Sequence, residues 1–377
     1  MADAVTGSVS LELLLSLAAM VALLSAGAVR VVRLIALKRA LLDQPNDRSS
    51  HTAPTPRLGG AAFVPIVILG VVLAWPAGLP MTVKVAFSGG MLGLYLVSLV
   101  DDIRSLPTGI RFAVQFAAAG GFLAAFYFAC PAGTVAGMVH ALPIVPSNPE
   151  VLSPPATGEF WSLGTFVFWS LLTFWIVGVV NVYNFMDGID GLAGVQAVVA
   201  GSAWSVIGIV VGSPAVTVVA TIVAAAAVGF LTLNWPPAKI FMGDAGSTVL
   251  GFVFSTLPLI ACLERHGQRK PFLFLCAGGL ILWPFLADGT FTLLRRLSRR
   301  ENIFQAHRSH VYQRLVMSGL GHRTVTLIYG ALALVGGIGG VLLLLGFEIS
   351  LGGIIGLAIT ASISIWLWAV RRESSRD

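Results

Sequence analysis

Apolar residues in this chain come in long unbroken runs, not in the alternation of a half-buried strand or the single stripe of a soluble helix. Stretches such as LELLLSLAAMVALLSAGAVRVVRLIAL (11–37) and PAVTVVATIVAAAAVGFLTL (214–233) would be apolar on nearly every face of a helix. A helix of about 20 such residues crosses the hydrocarbon core of a bilayer. The pattern predicts helices over 11–37, 59–77, 81–100, 110–129, 161–181, 192–212, 214–233, 247–263, 271–293, 324–346 and 349–370. The expected fold is an all-α integral membrane protein. It is a polytopic bundle of about 10–11 transmembrane helices in one domain, 1–377, with active-site loops on the cytoplasmic side.

Composition excludes the soluble alternatives. Of the 377 residues, 56% are hydrophobic and 11% charged, against about 25% charged in soluble domains; the mean hydropathy is +0.89. The net charge is +6, yet no basic run is interleaved with aromatics on a polar surface, so nucleic acid is not an expected partner. Cys130, Cys262 and Cys276 lie far apart without a Cys-x-x-Cys spacing and read as apolar filler. The first ten residues lack a basic region and a small-residue cleavage site, so the first apolar run is expected to be a retained helix.

Charge placement sets the orientation. The first helix ends in Arg30, Arg33, Lys38 and Arg39, which places that end in the cytoplasm. With strict alternation from there, all but Lys84, Arg265, Arg269 and Lys270 of the 23 basic residues fall on the cytoplasmic side. The loops on that side are 38–58, 101–110, 182–191, 234–246, 294–323 and the tail after 370. The long outer loop 130–160 is rich in Pro, Ser and Ala and reads as a connector.

The inner loops collect the unusual polar groups. LVDDIRSLPTGIR ends the third helix with Asp101 and Asp102. NVYNFMDGIDG closes the fifth with Asn181, Asn184, Asp187 and Asp190. NWPPAKIFMGDAGST carries Asp244. FLADGTFTLLRRLSRRENIFQAHRSHVYQRL carries Asp288, a basic cluster, and then His307, Arg308 and His310. Taken singly, each has a plain explanation: an aspartate such as Asp288 caps or solvates a helix end, and Arg295, Arg296, Arg299 and Arg300 anchor against anionic lipid. Together they converge on one interface. Carboxylates gathered at a low-dielectric boundary repel unless a cation joins them. Mg²⁺ suits such oxygen ligands together with substrate phosphates, whereas no Cys/His spacing points to zinc. The small residues of MGDAGST would let a phosphate approach a helix N-terminus. His307, Arg308 and His310 would donate to phosphate oxygens. An acidic metal site beside a basic phosphate site at headgroup level describes phosphoryl-group transfer involving a lipid.

These motifs resemble those of the polyprenyl-phosphate N-acetylhexosamine-1-phosphate transferases, glycosyltransferase family 4. The resemblance runs through DQPNDRSSHTAPTPRLGG (43–60), DDIRSL (101–106), NVYNFMDGIDGLAG (181–194), FMGDAGST (241–248) and AHRSHVYQRL (306–315). It implies transfer of a sugar-1-phosphate from a UDP-sugar donor to a polyprenyl phosphate acceptor, with release of UMP and a requirement for Mg²⁺, or Mn²⁺ in its place. It implies that Asp244 and Asn184 are metal ligands and that Asp187 lies near the metal. Asp101 and Asp102 match the acidic pair assigned to catalysis or acceptor positioning. Phe241 matches the aromatic under uracil, and Asp190 the group that hydrogen-bonds uracil; Asn181, in the same motif, joins the substrate-binding set. His307, Arg308 and His310 match the pyrophosphate-binding motif, and Arg111 a basic position near the phosphates. Localisation in a bacterial inner membrane follows from the same resemblance, and a second copy of the chain is a candidate partner.

The lipid I synthase branch carries three consecutive histidines, where this chain has His307-Arg308-Ser309-His310. That argues against a muramyl-pentapeptide donor. PTPRLGG and AHRSHVYQRL look closer to the enzymes that initiate O-antigen, including those using deoxy-N-acetylhexosamines. Three other readings compete. A transporter of an anionic or phosphorylated solute would place its polar groups at the midplane and show an internal repeat. A CDP-alcohol phosphotransferase would need an arginine that DGIDGLAG lacks. A purely structural scaffold would not need carboxylates on so many separate loops.

Overall fold

The computed structural model describes residues 10–44, 54–130, 163–265, 271–302 and 308–347, together with five helical positions between 353 and 368. Eleven α-helices and one two-stranded sheet make up the ordered elements of these residues: α1 (Leu11–Lys38), β1 (Leu42–Asp43), β2 (Thr55–Pro56), α2 (Gly59–Ala74), α3 (Met81–Ile103), α4 (Thr108–Ala129), α5 (Leu163–Phe185), α6 (Leu192–Val211), α7 (Pro214–Asn234), α8 (Asp244–Glu264), α9 (Pro271–Ser298), α10 (Val311–Met317) and α11 (His322–Leu345). Nine of the helices are long and apolar enough to cross a membrane. The chain is a multi-pass, all-α membrane protein. The predicted eleventh helix, 349–370, and the predicted connector after Cys130 lie almost wholly outside the described residues.

The bundle is built around α8, which is buried along its whole length. Its sequence, STVLGFVFSTLPLIACL, is apolar on all sides, as a helix enclosed by others must be. It packs against α2, α3, α5, α7 and α9. Small residues set the closest approach: a Cβ at Gly251 would lie 2.7 Å from the Val180 Cα of α5. Leu13, Leu73, Phe128 and Phe174 face outward and exposed, the surface that lipid covers in a membrane.

Helix edges near the polar motifs run further than predicted. α3 continues through Asp101 and Asp102, α5 through Asn181 and Asn184, and α8 begins at Asp244. Residues expected on loops therefore sit on the last or first turns of helices. Rigid elements hold these side chains more tightly than loops would. α10 is a further departure, a short helix inside the segment read as loop 294–323. α2 has 16 residues, a rise of about 24 Å, short of the roughly 30 Å hydrocarbon thickness.

Candidate active site

The site forms where one end of α8 meets the chain ends around it. β1 and β2 pair antiparallel, Leu42 opposite Pro56 and Asp43 opposite Thr55. The strand then runs on beside the approach to α8. Phe241 N–H donates to Pro56 O (2.8 Å), Gly59 N–H to Phe241 O (2.8 Å) and Gly60 N–H to Met242 O (2.7 Å). Only a residue without a Cβ fits at position 60, because a Cβ there would overlap the Gly246 backbone. This backbone pairing fixes Arg57, one residue past β2.

The turn into α8 is equally constrained. Gly243 has φ +76°, a left-handed conformation, and a Cβ there would come 2.6 Å from Asp102 Oδ2. Asp102, at the end of α3, accepts from Asp244 N–H (2.9 Å) and Ala245 N–H (3.0 Å), one on each carboxylate oxygen. It thereby caps α8 from a neighbouring helix. This corrects the expectation that the MGDAGST helix N-terminus receives a phosphate, because its first two N–H groups already hold the Asp102 carboxylate.

Around that cap the charges alternate. Arg57 Nε lies 3.3 Å from Asp102 Oδ1, and its Nη2 3.3 Å from Asp244 Oδ1. Arg111, in the first turn of α4, lies 3.1 Å from Asp101 Oδ2 and 3.7 Å from Asp244 Oδ2. Asp101 also accepts from Leu106 N–H at 2.6 Å. Asn184 Nδ2 approaches Asp244 Oδ1 (3.1 Å) and Ser247 Oγ (2.9 Å). The side chain of Asp102 is fully enclosed, whereas that of Asp244 is 18% exposed, so a small ligand can reach Asp244.

Asp187 lies on the turn after α5, within the field of Asp244 and Asp102 and accepting from Gly243 N–H. Burial first, then those two negative charges, pushes its carboxyl well above the usual range; Arg57 and the Gly243 N–H pull the other way. For Arg57, burial opposes the charge, but Asp244, Asp102, Asp43 and Asp187 outweigh it and push the guanidinium upward. Four carboxylates (Asp101, Asp102, Asp187, Asp244) share two arginines (Arg57, Arg111). If all ionise, four negative charges against two positive leave a surplus of two negative charges.

The remaining predicted residues surround this cluster at different removes. Asn181 lies one turn earlier on α5, where Nδ2 donates to Gln115 Oε1 and Val177 O, both at 2.7 Å, and so joins α4 to α5. Asp190 accepts from Ala238 N–H (3.0 Å) and lies 3.3 Å from His322 Nδ1, which ties the segment leading to Phe241 to the start of α11. Phe241 is partly buried and held through its backbone. His310 is buried, with Nδ1 3.0 Å from Asp288 Oδ1, while Arg308 is partly buried two residues before it. His307 lies outside the described residues.

Sequence reasoning missed Arg57 as a site residue. Its signal was present in PTPRLGG, an arginine held between a proline-fixed strand and a Gly-Gly helix start, but the count of positive-inside charges absorbed it. Asp288 was read as a possible capping group, and it does cap a helix. That helix is α10, reached through space from the interior of α9.

Known proteins share this arrangement of sequence. The family described as Glycosyl transferase family 4 matches residues 85–262. A probable undecaprenyl-phosphate N-acetylglucosaminyl 1-phosphate transferase of Bacillus subtilis is 29% identical over 339 residues, which cover 89% of this chain and 82% of the relative. A decaprenyl-phosphate N-acetylglucosaminephosphotransferase of Mycobacterium tuberculosis is 28% identical, over 79% of this chain and 74% of its own. A phospho-N-acetylmuramoyl-pentapeptide-transferase of Moorella thermoacetica is 27% identical, over 78% and 86%. The matched region contains Asp101, Asp102, Asn184, Asp187 and Asp244, the acids and amide that the fold gathers at one end of α8, and it is across these residues that the chain is similar to glycosyl transferase family 4.

Proposed function

We propose that this protein transfers an N-acetylhexosamine-1-phosphate, or its deoxy-sugar counterpart, from a UDP-sugar to undecaprenyl or another polyprenyl phosphate. UMP is released, and the lipid-linked sugar initiates O-antigen or a related envelope polysaccharide. The site faces the cytoplasm at the inner membrane, where soluble nucleotide and membrane-held acceptor meet. The observation that carries this reading is the convergence of four carboxylates and two arginines around Asp244, at one end of the bundle. Its position at the end of the helices, and not midway along them, disfavours a transporter.

Mg²⁺ fits this donor set. Asp244 is reachable and Asp187 lies close by, while Asn184 lies against Asp244 with its Nδ2 donating to Oδ1 at 3.1 Å and would present its own Oδ1 to an ion. Among the described residues, no three His, Cys, Asp or Glu side chains enclose an ion by themselves. That suits an ion which takes one or two carboxylates and completes its shell with water and substrate phosphates. When bound, it would offset the negative charge of the cluster and of the diphosphate.

The protein's own groups then have defined tasks. Phe241 and Asp190 hold the uracil. Arg308 and His310, with His307, bind the diphosphate through charge-assisted hydrogen bonds. Arg57 and Arg111 hold the acceptor phosphate beside Asp101, and the enclosed Asp102 fixes Arg57 and the start of α8 behind them. The acceptor oxygen is already anionic at neutral pH and needs little help from a base. It attacks the β-phosphorus; a new P–O bond forms, the bond from that phosphorus to the bridging oxygen breaks, and UMP leaves with the bridging oxygen. Alignment and charge neutralisation supply the acceleration.

The test uses detergent-purified protein with Mg²⁺, undecaprenyl phosphate and a panel of UDP-sugars, with UMP release as the readout. UMP formation with a UDP-N-acetylhexosamine and none with UDP-N-acetylmuramyl-pentapeptide is the expected result. No UMP from any N-acetylhexosamine donor would overturn the reading.

A further inference from the structure

Asp288 is a carboxylate inside the bundle, 3% exposed and in the interior of α9. Five donors converge on it. Oδ1 takes His310 Nδ1 (3.0 Å), Val311 N–H (2.9 Å) and Thr292 Oγ1 (3.2 Å). Oδ2 takes Tyr312 N–H (3.0 Å) and Tyr329 Oη (2.6 Å). The first two N–H groups of α10 are thus capped in bidentate fashion by a side chain 23 and 24 residues earlier. The same carboxylate fixes the ring of His310.

The contact continues to the acidic cluster. Tyr312 is fully buried, and its hydroxyl donates to Phe185 O at 2.9 Å. A Cβ at Gly188 would overlap that hydroxyl, so the tyrosine lies directly on the 185–188 turn that carries Asp187. Burial, then the charges of Asp288 and Asp187, push the Tyr312 hydroxyl upward, which keeps it protonated as a donor. The His310 ring stacks on Tyr312 with centroids 5.7 Å apart.

We infer that Asp288 is a positioning residue which sets the basic segment Arg308–His310 and, through Tyr312, the turn bearing Asp187 in one geometry. This inference rests on the proposed transferase reading for its kinetic consequence but not for its structural one. A simple core polar group would stabilise α9 without coupling two parts of the site. Asp288 joins α9, α10 and α11, and Tyr312 then reaches the end of α5. Loss of its charge should misplace both the cationic and the acidic side of the diphosphate site, where a displacement of about 1 Å costs about a hundredfold in rate.

The variants are Asp288→Asn, which keeps volume but removes the charge and one acceptor, and Tyr312→Phe, which removes a single hydroxyl. In hydrogen–deuterium exchange, Asp288→Asn should exchange the Val311 and Tyr312 amides at least tenfold faster and also loosen 185–190, with α8 unchanged. In UMP release, it should lower kcat at least tenfold with KM for the lipid acceptor within twofold. Tyr312→Phe should lower kcat severalfold, and the double variant should lose less than the product of the two. Wild-type kcat in a folded Asp288→Asn, unchanged exchange at 185–190, or fully multiplicative losses would overturn the inference. If Asp288→Asn does not fold, Tyr312→Phe decides alone: a severalfold kcat loss with faster exchange at 185–190 upholds the inference, and wild-type behaviour in either overturns it. If wild-type protein releases no UMP, the functional reading fails while the exchange data still decide the positioning role.

Discussion

The two ends of α8 each carry a carboxylate, and they are held in opposite ways. Glu264, at the C-terminal end, accepts from the Ser213 hydroxyl and from Ala215 N–H (3.2 Å), both in the one segment that starts α7. It is a helix cap supplied by a neighbour, satisfied by neutral donors, with Arg265 close by on Gly212 O at 3.2 Å. Asp244, at the N-terminal end, is approached by Arg57, Arg111 and Asn184 from three separate segments, and three more aspartates lie around it. The first arrangement stabilises a fold. The second gathers carboxylates and arginines from separate segments, at a place where Asp244 stays partly open. Burial of an acid is thus a poor guide to function; whether its partners are neutral and local or charged and convergent separates the two roles.

Asp244→Asn tests that contrast most sharply. The amide keeps the volume but removes the charge that the proposed ion needs. UMP release should fall by about 10³-fold, the upper range for loss of one preorganised electrostatic contact. Because the substitution also relieves repulsion with Asp102 and Asp187, thermal unfolding in detergent without added Mg²⁺ should occur at an equal or higher temperature than for wild type. Such opposed effects on activity and stability mark a functional site. A variant that turns over normally, or one that loses activity only because it melts, would erase the distinction between the two ends.

Arg57→Gln comes next in size. Arg57 bridges Asp102 and Asp244 and is pinned by the pairing of residues 56–60 with 241–242. Loss of its charge should lower kcat/KM by about 10²-fold and leave the fully enclosed Asp102 carboxylate with only its two backbone donors. The melting temperature should therefore drop, in contrast to Asp244→Asn. Initial rates against lipid acceptor concentration measure the first effect and a detergent melt the second. An Arg57→Gln protein with wild-type kinetics would remove the arginine from the site.

The sequence made most of this legible because lipid imposes a simple rule. Backbone polar groups must be satisfied inside each segment, so long apolar runs become helices, and alternation then fixes which ends meet. The predicted ends of the third and fifth helices and the starts of the fourth and eighth do meet around Asp102, Asn184 and Asp244. Helix edges were less legible: Asp101, Asp102, Asn184 and Asp244 carry polarity that looks like loop, yet the partners around them let the helix continue. The role of Asp288 was out of reach, since its cap on α10 joins positions 23 and 24 residues apart through space. Arg57 was hidden for a different reason. A cationic lipid anchor and an arginine that joins a carboxylate cluster look alike until the carboxylates beside them are located.

Glu264→Gln should give the smallest effect and controls for the rest. Glutamine retains one acceptor oxygen, so Ser213 or Ala215 can still donate to it, while the anionic cap on the α7 N-terminus is lost. An N-terminal cap of this kind is worth about 1 kcal/mol, and the charge–dipole part about 0.3–1 kcal/mol. The melting temperature should fall slightly, and UMP release per folded molecule should stay within about twofold of wild type, well under the tenfold that 1.4 kcal/mol on the barrier would give. The reason is positional: Glu264 and Asp244 are separated by the full length of α8, about 30 Å at 1.5 Å per residue, and the helix between them is packed on every side. A large loss of turnover in folded Glu264→Gln would mean that α8 transmits strain from one end to the other, and the two carboxylates would then have to be treated as one coupled system.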